Sequence, residues 1–292
     1  MADTYQMVTD RIISELEAGY IPWHRPWCSV NAGAFNRVSG RQYSLLNQMM
    51  LKHSGEYASF NQWKKLGGYI RKGEKSEFVV FWKWQEEAEE PCENEDEKET
   101  KETISDERKR HPILKFYRVF HISQVDGVEP LAEKQELFDT DPIEEAERLF
   151  VGYVEREGIR VDRELSDKAY YSPASDGIHL PSIKQYADAT LHCATMFHEA
   201  VHSTGYETRL NRPGLQKVAF GSENYSKEEL IAEIGSACVL NMLGIETEAS
   251  FRNSTAYIQG WLKALQSDRR MIVSAASQAE KAVKFILGEP VM

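Results

Sequence analysis

The sequence predicts an α+β protein of two domains, and three observations carry that expectation: chain length, an uneven spread of charge, and a change in hydrophobic periodicity between the halves. At 292 residues the chain reaches the size at which single hydrophobic cores stop growing and chains divide. The hydrophobic fraction of 41% and charged fraction of 28% are those of a globular protein. No apolar run approaches the roughly 20 residues that cross a bilayer, so no membrane partner is expected. The net charge of −11 conceals opposite regions. Residues 86–107 carry 12 acids and 2 bases. Residues 1–85 carry 11 bases against 7 acids, and residues 108–128 carry 5 against 1. Residues 129–292 are acidic, with 17 bases and 26 acids. A basic N-terminal domain interrupted by an acidic insert is thus joined to an acidic C-terminal domain.

The elements follow in order. MADTYQMVTDRIISELEAG has Ile, Leu and Val at helical spacing and lacks the basic start, apolar centre and cleavage site of a secretory signal. IPWHRPW, residues 21–27, reads as a turn segment. Helices are expected at residues 43–53 and 60–66, the second stopped by Gly67 and Gly68. EFVVFWKW at 77–84 and ILKFYRVFHI at 113–122, rich in β-branched and aromatic residues, are expected to pair as strands. The acidic insert at 86–107 between them has almost no apolar residues and reads as a solvated excursion whose deletion should spare the fold. Residues 1–128 form the first domain, 129–140 the linker and 141–292 the second domain. The second opens with a helix, PIEEAERLFVGYVEREG, followed by the strand-like RVDRELSDKAYYSPASDGIHLP. Helical patterns then run at about 184–204, 226–243, 254–268 and 269–287. Within the strand region, DGIHLP is the kind of edge to which an extended peptide could add itself by main-chain hydrogen bonds.

The four cysteines, Cys28, Cys92, Cys193 and Cys238, form no Cys-x-x-Cys pair. That argues against a sulfur-ligated metal and fits a reducing cytoplasm.

TMFHEAVHSTG places His198 and His202 four residues apart in a helical segment, so both imidazoles project from one face and can share a divalent cation. Glu199, beside them, is the expected general base, taking a proton from the attacking water and passing it to the leaving amine. Catalytic zinc uses three protein ligands, so one more must come from elsewhere. Glu229 and Glu233, four apart in YSKEELIAEIGSA, are the candidates, on a helix expected to open with Ser226 as N-cap and Glu229 at the capping-box position. Either could reach the cation, with the other orienting a histidine. His-Glu-x-x-His followed by a helix carrying Glu-x-x-x-acid is similar to the gluzincin metallopeptidases. That resemblance implies Glu229 as ligand and Glu233 as the supporting carboxylate. Glu228 is expected to point to a different helix face. His179 and His192 fit no ligand spacing and read as structural. Zn2+ is the expected cofactor, with Mn2+ as an alternative.

The N-terminal region interleaves Trp23, Trp27, Tyr43, Trp63, Tyr69, Trp82, Trp84 and Tyr117 with cationic side chains. Flat rings beside cations suit single-stranded nucleic acid, whose unpaired bases stack while its phosphates meet positive charge. The DNA-contacting residues proposed on this basis are Trp23, Arg25, Trp27, Arg41, Tyr43, Asn47, Trp63, Lys64, Lys65, Arg71, Lys72, Lys75 and Trp82.

The series PWHRPW, NRVSGRQYSLLN, FNQWKKLGGYIRKGEK and FVVFWKW resembles the N-terminal domain of the ArdC antirestriction family, found also in plasmid TraC-type primases. HEAVHSTGYETRLNR and EELIAEIGSA resemble that family's zincin-like C-terminal domain. The resemblance covers nearly the whole chain in one order. It implies a single-stranded DNA-binding domain fused to a zincin-like, gluzincin-type metallopeptidase domain, carried by a conjugative element and protecting incoming DNA from host restriction. Host restriction enzymes or another protein substrate are the implied protein partners. The reading of a different class is a non-enzymatic single-stranded DNA-binding or transfer-chaperone protein with a structural metal and a vestigial protease fold. A primase accessory role is the third, weakened by the lack of a polymerase-type carboxylate cluster.

Overall fold

Apolar residues at positions 8, 12 and 16 of helix α1 (Thr4–Glu17) form one buried stripe, the spacing that turns a helix face toward a core. The computed structural model in which this is seen describes residues 3–17, 21–24, 33–86, 110–131, 142–166, 168–186, 188–215, 223–245, 261–262 and 264–291. Arg25, Trp27, Cys28, Cys92, nearly all of the acidic insert and most of the proposed linker lie outside the described residues.

The N-terminal half is built on a four-stranded sheet in the order β1-β2-β5-β4. Its strands are β1 (Ala34–Asn36), β2 (Gly55–Ala58), β4 (Glu77–Glu86) and β5 (Arg110–His121). The expected pairing of the two aromatic runs is found: β4 and β5 are antiparallel, in register from Glu77↔Val119 to Glu86↔Arg110. A small ribbon joins β3 (Tyr69–Ile70) to β6 (Val125–Asp126). Helix α2 spans only Leu45–Met50, shorter than expected at both ends, because the backbone is extended at Ser44 (ψ 158°) and Leu51 (ψ 141°). Helix α3 (Phe60–Lys65) starts at a capping box between Ser59 and Gln62.

In the C-terminal half, α4 (Pro142–Glu157) ends at Gly158, whose φ of +68° suits a residue without Cβ. Three strands follow, β7 (Arg160–Glu164), β8 (Tyr170–Ser172) and β9 (Gly177–Pro181), in the order β7-β9-β8. Strand β9, the DGIHLP segment, is therefore central: parallel to β7 on one side and antiparallel to β8 on the other. This corrects the expectation of a free edge there, since its main-chain groups are already paired. Helix α5 (Ala189–Thr204) begins at the Asp188 cap, later than expected, after a 3-10 turn at Ile183–Gln185. Helix α6 runs Glu223–Met242, so Ser226 lies inside it and is not its N-cap. Helix α7 covers Met271–Leu287 and ends at left-handed Gly288.

The main core runs through both halves. It unites Val8, Ile12, Leu45, Met49, Val80 and Leu114 with Phe150, Phe197, Leu230, Ala276 and Val283. Polar ties cross the same seam. Thr9 Oγ1 donates to Arg269 O at 2.8 Å, Leu45 N to Glu280 Oε2 at 3.0 Å, and Asn241 Nδ2 to Trp23 O at 3.2 Å. Among the described residues, no helix is long and apolar enough to cross a membrane.

Candidate metal centre and nucleic-acid surface

Helical geometry puts His198 and His202 one turn apart on α5, with ring centroids 4.8 Å apart and Nε2 atoms 3.1 Å apart. Glu229 on α6 faces both, with Oε2 3.5 Å from His198 Nε2 and Oε1 3.5 Å from His202 Nε2. One donor atom from each of the three lies within 4.8 Å of the others. A tetrahedral cation with bonds of about 2.0–2.1 Å holds its ligands about 3.3–3.4 Å apart, so this cluster fits a divalent ion with little rearrangement. Two imidazoles and one carboxylate suit zinc and accept manganese.

Close helix packing brings α6 to this point. Gly235 faces Val201, and a Cβ at Gly235 would stand 2.9 Å from Val201 Cγ2 and 3.2 Å from Cγ1. Ser236 Oγ also donates to Ala194 O at 2.9 Å. A larger residue at 235 would push apart the two helices that contribute the three donors.

Glu199 is buried and next in sequence to His198. Glu233 sits with Oε1 3.9 Å from His198 Nδ1, beyond a hydrogen bond but within ion-pair range, and burial raises its pKa. Burial alone would disfavour a charged His198. The hydrogen bond that Glu229 accepts from it and the charges of Glu233 and Glu199 outweigh burial and hold its pKa up at about 9. The clustered carboxylates therefore favour positive charge between them, whether proton or metal ion.

Glu228 takes a different helix face, as expected, but has a role the sequence does not indicate. It leaves the face of Glu229 but turns inward, is buried, and lies 3.4 Å from His202 Nδ1, a long hydrogen bond. Its other partner is buried Arg212, which donates from Nε at 3.1 Å and from Nη2 at 2.6 Å. Despite burial, the His202 and Arg212 contacts hold the Glu228 carboxyl down at about 2. Arg212 further donates to Thr204 Oγ1 at 2.6 Å and Val201 O at 2.7 Å. It reaches back because the chain reverses after α5, with Leu210 N bonded to Thr204 O and Arg212 N to Gly205 O, both at 2.9 Å. A Cβ at Gly205 would crowd that turn, 2.1 Å from Leu215 Cδ1 and 2.9 Å from Arg212 Cζ.

His179 stacks on Tyr170 and pairs with Asp162. His192 is fully buried beside Glu147 at 3.9 Å, and burial lowers its pKa.

The nucleic-acid residues divide by exposure. Trp23, Tyr43, Asn47 and Trp63 are buried, which corrects the expectation that they meet DNA. Trp23 packs edge-on against Trp261 at 5.3 Å, and Trp63 Nε1 donates to Phe120 O at 2.9 Å. Asn47 clasps β4 like a peptide group: Nδ2 donates to Val80 O at 2.9 Å, and Oδ1 accepts from Val80 N at 2.8 Å. Arg41, Lys64, Lys65, Arg71, Lys72 and Lys75 are exposed. Arg71 is partly neutralised by Glu74 at 3.0 Å and Asp126 at 3.4 Å. Among the described residues of this half the exposed rings are Trp84 (70%), Tyr69 (64%), Phe60 (54%), Trp82 (51%), Phe81 and Tyr117. Trp82 is thus the one described aromatic of the proposed set that offers a face. Phe81, absent from the sequence reading, packs at 5.8 Å beside Tyr117.

Comparison with known proteins follows this division. A family model described as the N-terminal domain of anti-restriction factor ArdC matches residues 2–120, and one described as a zincin-like metallopeptidase matches residues 144–278. A DNA primase TraC of Escherichia coli is 34% identical over 97% of this chain, and a second is 33% identical over the same share. The chain spans only 27% and 20% of those two proteins. The uncharacterised protein y4eC of Sinorhizobium fredii is 33% identical, with 97% of this chain and 91% of that protein aligned. Crystal structures of the antirestriction ArdC protein from plasmid R388, metal-free and Mn(II)-bound, each align with a TM-score of 0.74 at 33% identity. They cover 98% of this chain and 97% and 98% of theirs. The zincin-like half with its clustered donors, the sheet-based half before it, and likeness along nearly the whole length lead to one conclusion: the chain belongs to the ArdC family of antirestriction proteins.

Proposed function

We propose that this protein is an antirestriction factor of a conjugative element, acting in the cytoplasm, that binds single-stranded DNA and carries a metal-dependent peptidase site. The convergence of His198, His202 and Glu229 on one point, with Glu199 buried alongside, carries the reading. Zn2+ is the proposed ion and Mn2+ the alternative, the latter supported by the manganese-bound relative. When bound, such a cation supplies Lewis acidity toward a peptide carbonyl and toward water. Glu199 supplies the base: its carboxylate takes a proton at the start of hydrolysis and delivers it to the departing amine. Glu228, braced by Arg212, fixes the His202 ring with Nδ1 as donor and Nε2 as electron-pair donor. Glu233 offsets charge at His198.

The proposed substrate is a protein of the restriction apparatus or one that governs it. Single-stranded DNA would be met by the exposed rings Tyr69, Phe81, Trp82, Trp84 and Tyr117 among Lys64, Lys65, Lys72 and Lys75, binding more weakly as salt rises.

The test is Glu199→Ala in a conjugation assay with a restricting recipient. The variant should keep its metal and DNA binding yet lose protection. Full protection by that variant would reject the peptidase mechanism and favour the non-enzymatic DNA-binding reading.

A further inference from the structure

A cavity of about 240 Å³ lies between β4 and α7, at the seam of the two halves. Its walls include Leu46, Val80 and Leu114 from the sheet side and Val273 from α7, with Trp82 and Lys281 at its margins. The volume falls just below the roughly 300–1,000 Å³ of drug-sized sites, which suits one flat ring system. Three observations give its occupant a chemistry. First, the wall is an indole with half its surface open, braced edge-on by Tyr5 at 6.3 Å, so a ring face is available for stacking. Second, the local charge is positive. Glu280 is already engaged, accepting from Leu45 N at 3.0 Å and from Lys284 Nζ at 2.8 Å. Lys281 has no ion-pair partner among the described residues, so the three charges sum in favour of an anion. Third, alternation along β4 puts Trp84, the more exposed ring, on the same face as Trp82. Two strand residues separate the rings by about 7 Å, roughly twice the 3.4 Å rise of stacked DNA. Bases resting on both rings must be unstacked from each other, which an unpaired strand achieves more readily than a duplex.

We propose that the cavity between β4 and α7 is a nucleotide subsite. It seats one unpaired base against Trp82 and the adjoining phosphate on Lys281, so that bound single-stranded DNA touches both halves of the molecule. The subsite rests on the DNA-binding reading above and deepens it: the DNA path ends on a helix of the zincin-like half.

The experiment measures binding of fluorescein-labelled oligo-dT to the full-length protein by anisotropy across a salt series. The variants are Trp82→Ala, which removes the stacking wall, Ser277→Trp, which fills the cavity from α7, and Lys281→Glu, with Lys281→Arg as the charge-conserving control. Trp82→Ala and Ser277→Trp should each raise Kd on the order of tenfold, the stacking contribution of about one base. Lys281→Glu should also flatten the log Kd against log salt slope by about 0.7, one single-strand phosphate contact, while Lys281→Arg retains the wild-type slope. Thermal melting of each variant at the wild-type midpoint separates a lost ligand contact from damaged folding. Weakening by Trp82→Ala with no effect of Ser277→Trp or Lys281→Glu would overturn the subsite, because Trp82 would then stack a base outside the cavity. Wild-type binding by all the variants would overturn it too while leaving the DNA reading intact. A wild-type protein that fails to bind oligo-dT would overturn both.

Discussion

Replacing Glu228 by glutamine removes one charge and leaves the shape of the side chain intact. The residue is buried against Arg212, itself 3% exposed, so the variant leaves a guanidinium inside the protein without its counter-charge. Removing one partner of a buried pair costs about 3–5 kcal/mol. Glutamine keeps one acceptor oxygen for Arg212, and Thr204 Oγ1 and Val201 O still accept at 2.6 and 2.7 Å. Both place the cost near the lower end, about 3 kcal/mol, or a fall in Tm of roughly 6–12 °C. The His202 ring also loses the carboxylate that orients it, which predicts metal binding about 10–100-fold weaker. Isothermal titration with Zn2+ and thermal melting of the metal-free protein read the two effects separately. Replacing both Glu228 and Arg212 by methionine should restore most of the stability, because no charge is stranded, without restoring metal affinity. Wild-type zinc affinity in Glu228→Gln would refute the orienting role, whatever the melting point does.

Gly235→Ala should overpack the α5–α6 contact against Val201, costing about 1–3 kcal/mol and weakening zinc binding with every ligand present; unchanged affinity would show that helix spacing does not govern the site. Asp176, at the β8–β9 turn with φ +44°, has its carboxyl held below the usual range because Arg209 and Tyr171 hydrogen bonds outweigh burial. A depressed folded-state pKa gives stability that is present above the unfolded value near 3.8 and lost as pH falls through the lower folded value. Asp176→Asn, which tolerates that backbone, should therefore melt lower at pH 6 and approach wild type as pH falls through that range; a constant gap would exclude the charge as the cause. Saturating zinc at 100 times its Kd should add about 2.7 kcal/mol of stability, lost on chelation and absent in His198→Ala with Glu229→Gln.

Much of this was legible from residue order. Helix α4 was readable because its apolar positions recur at helical spacing and Gly158 closes it. The four-residue spacing of His198 and His202 specifies a shared helix face, with Glu199 beside it. Glu229 was legible only as one of two acids on a later helix, since the distance between α5 and α6 depends on Gly235 meeting Val201. The contact of Glu228 with His202 is hidden from the sequence for a similar reason. The partner of Glu228, Arg212, precedes it by 16 residues across a reversal made by Gly205, and a surface-facing Glu228-Glu229 pair has the same sequence as one split between core and cavity. Aromatic content marked the N-terminal region but not its exposed faces, because Trp23 and Trp63 satisfy core packing with the same rings that could stack a base. The central position of β9 depends on parallel pairing with β7, which local alternation cannot reveal.

Helix α7 lends its apolar side to both halves, to Val8, Ile12 and Leu45 as well as to Phe197 and Leu230. The halves are therefore poor candidates for dissection by truncation. A fragment ending near residue 128 would expose the surfaces of α1 and α2 that α7 covers, and the complementary fragment would bare α7 itself. Loss of DNA binding or of metal in such pieces would report aggregation or unfolding as readily as function. Point substitutions in the intact chain are the cleaner route to assigning each activity to its half.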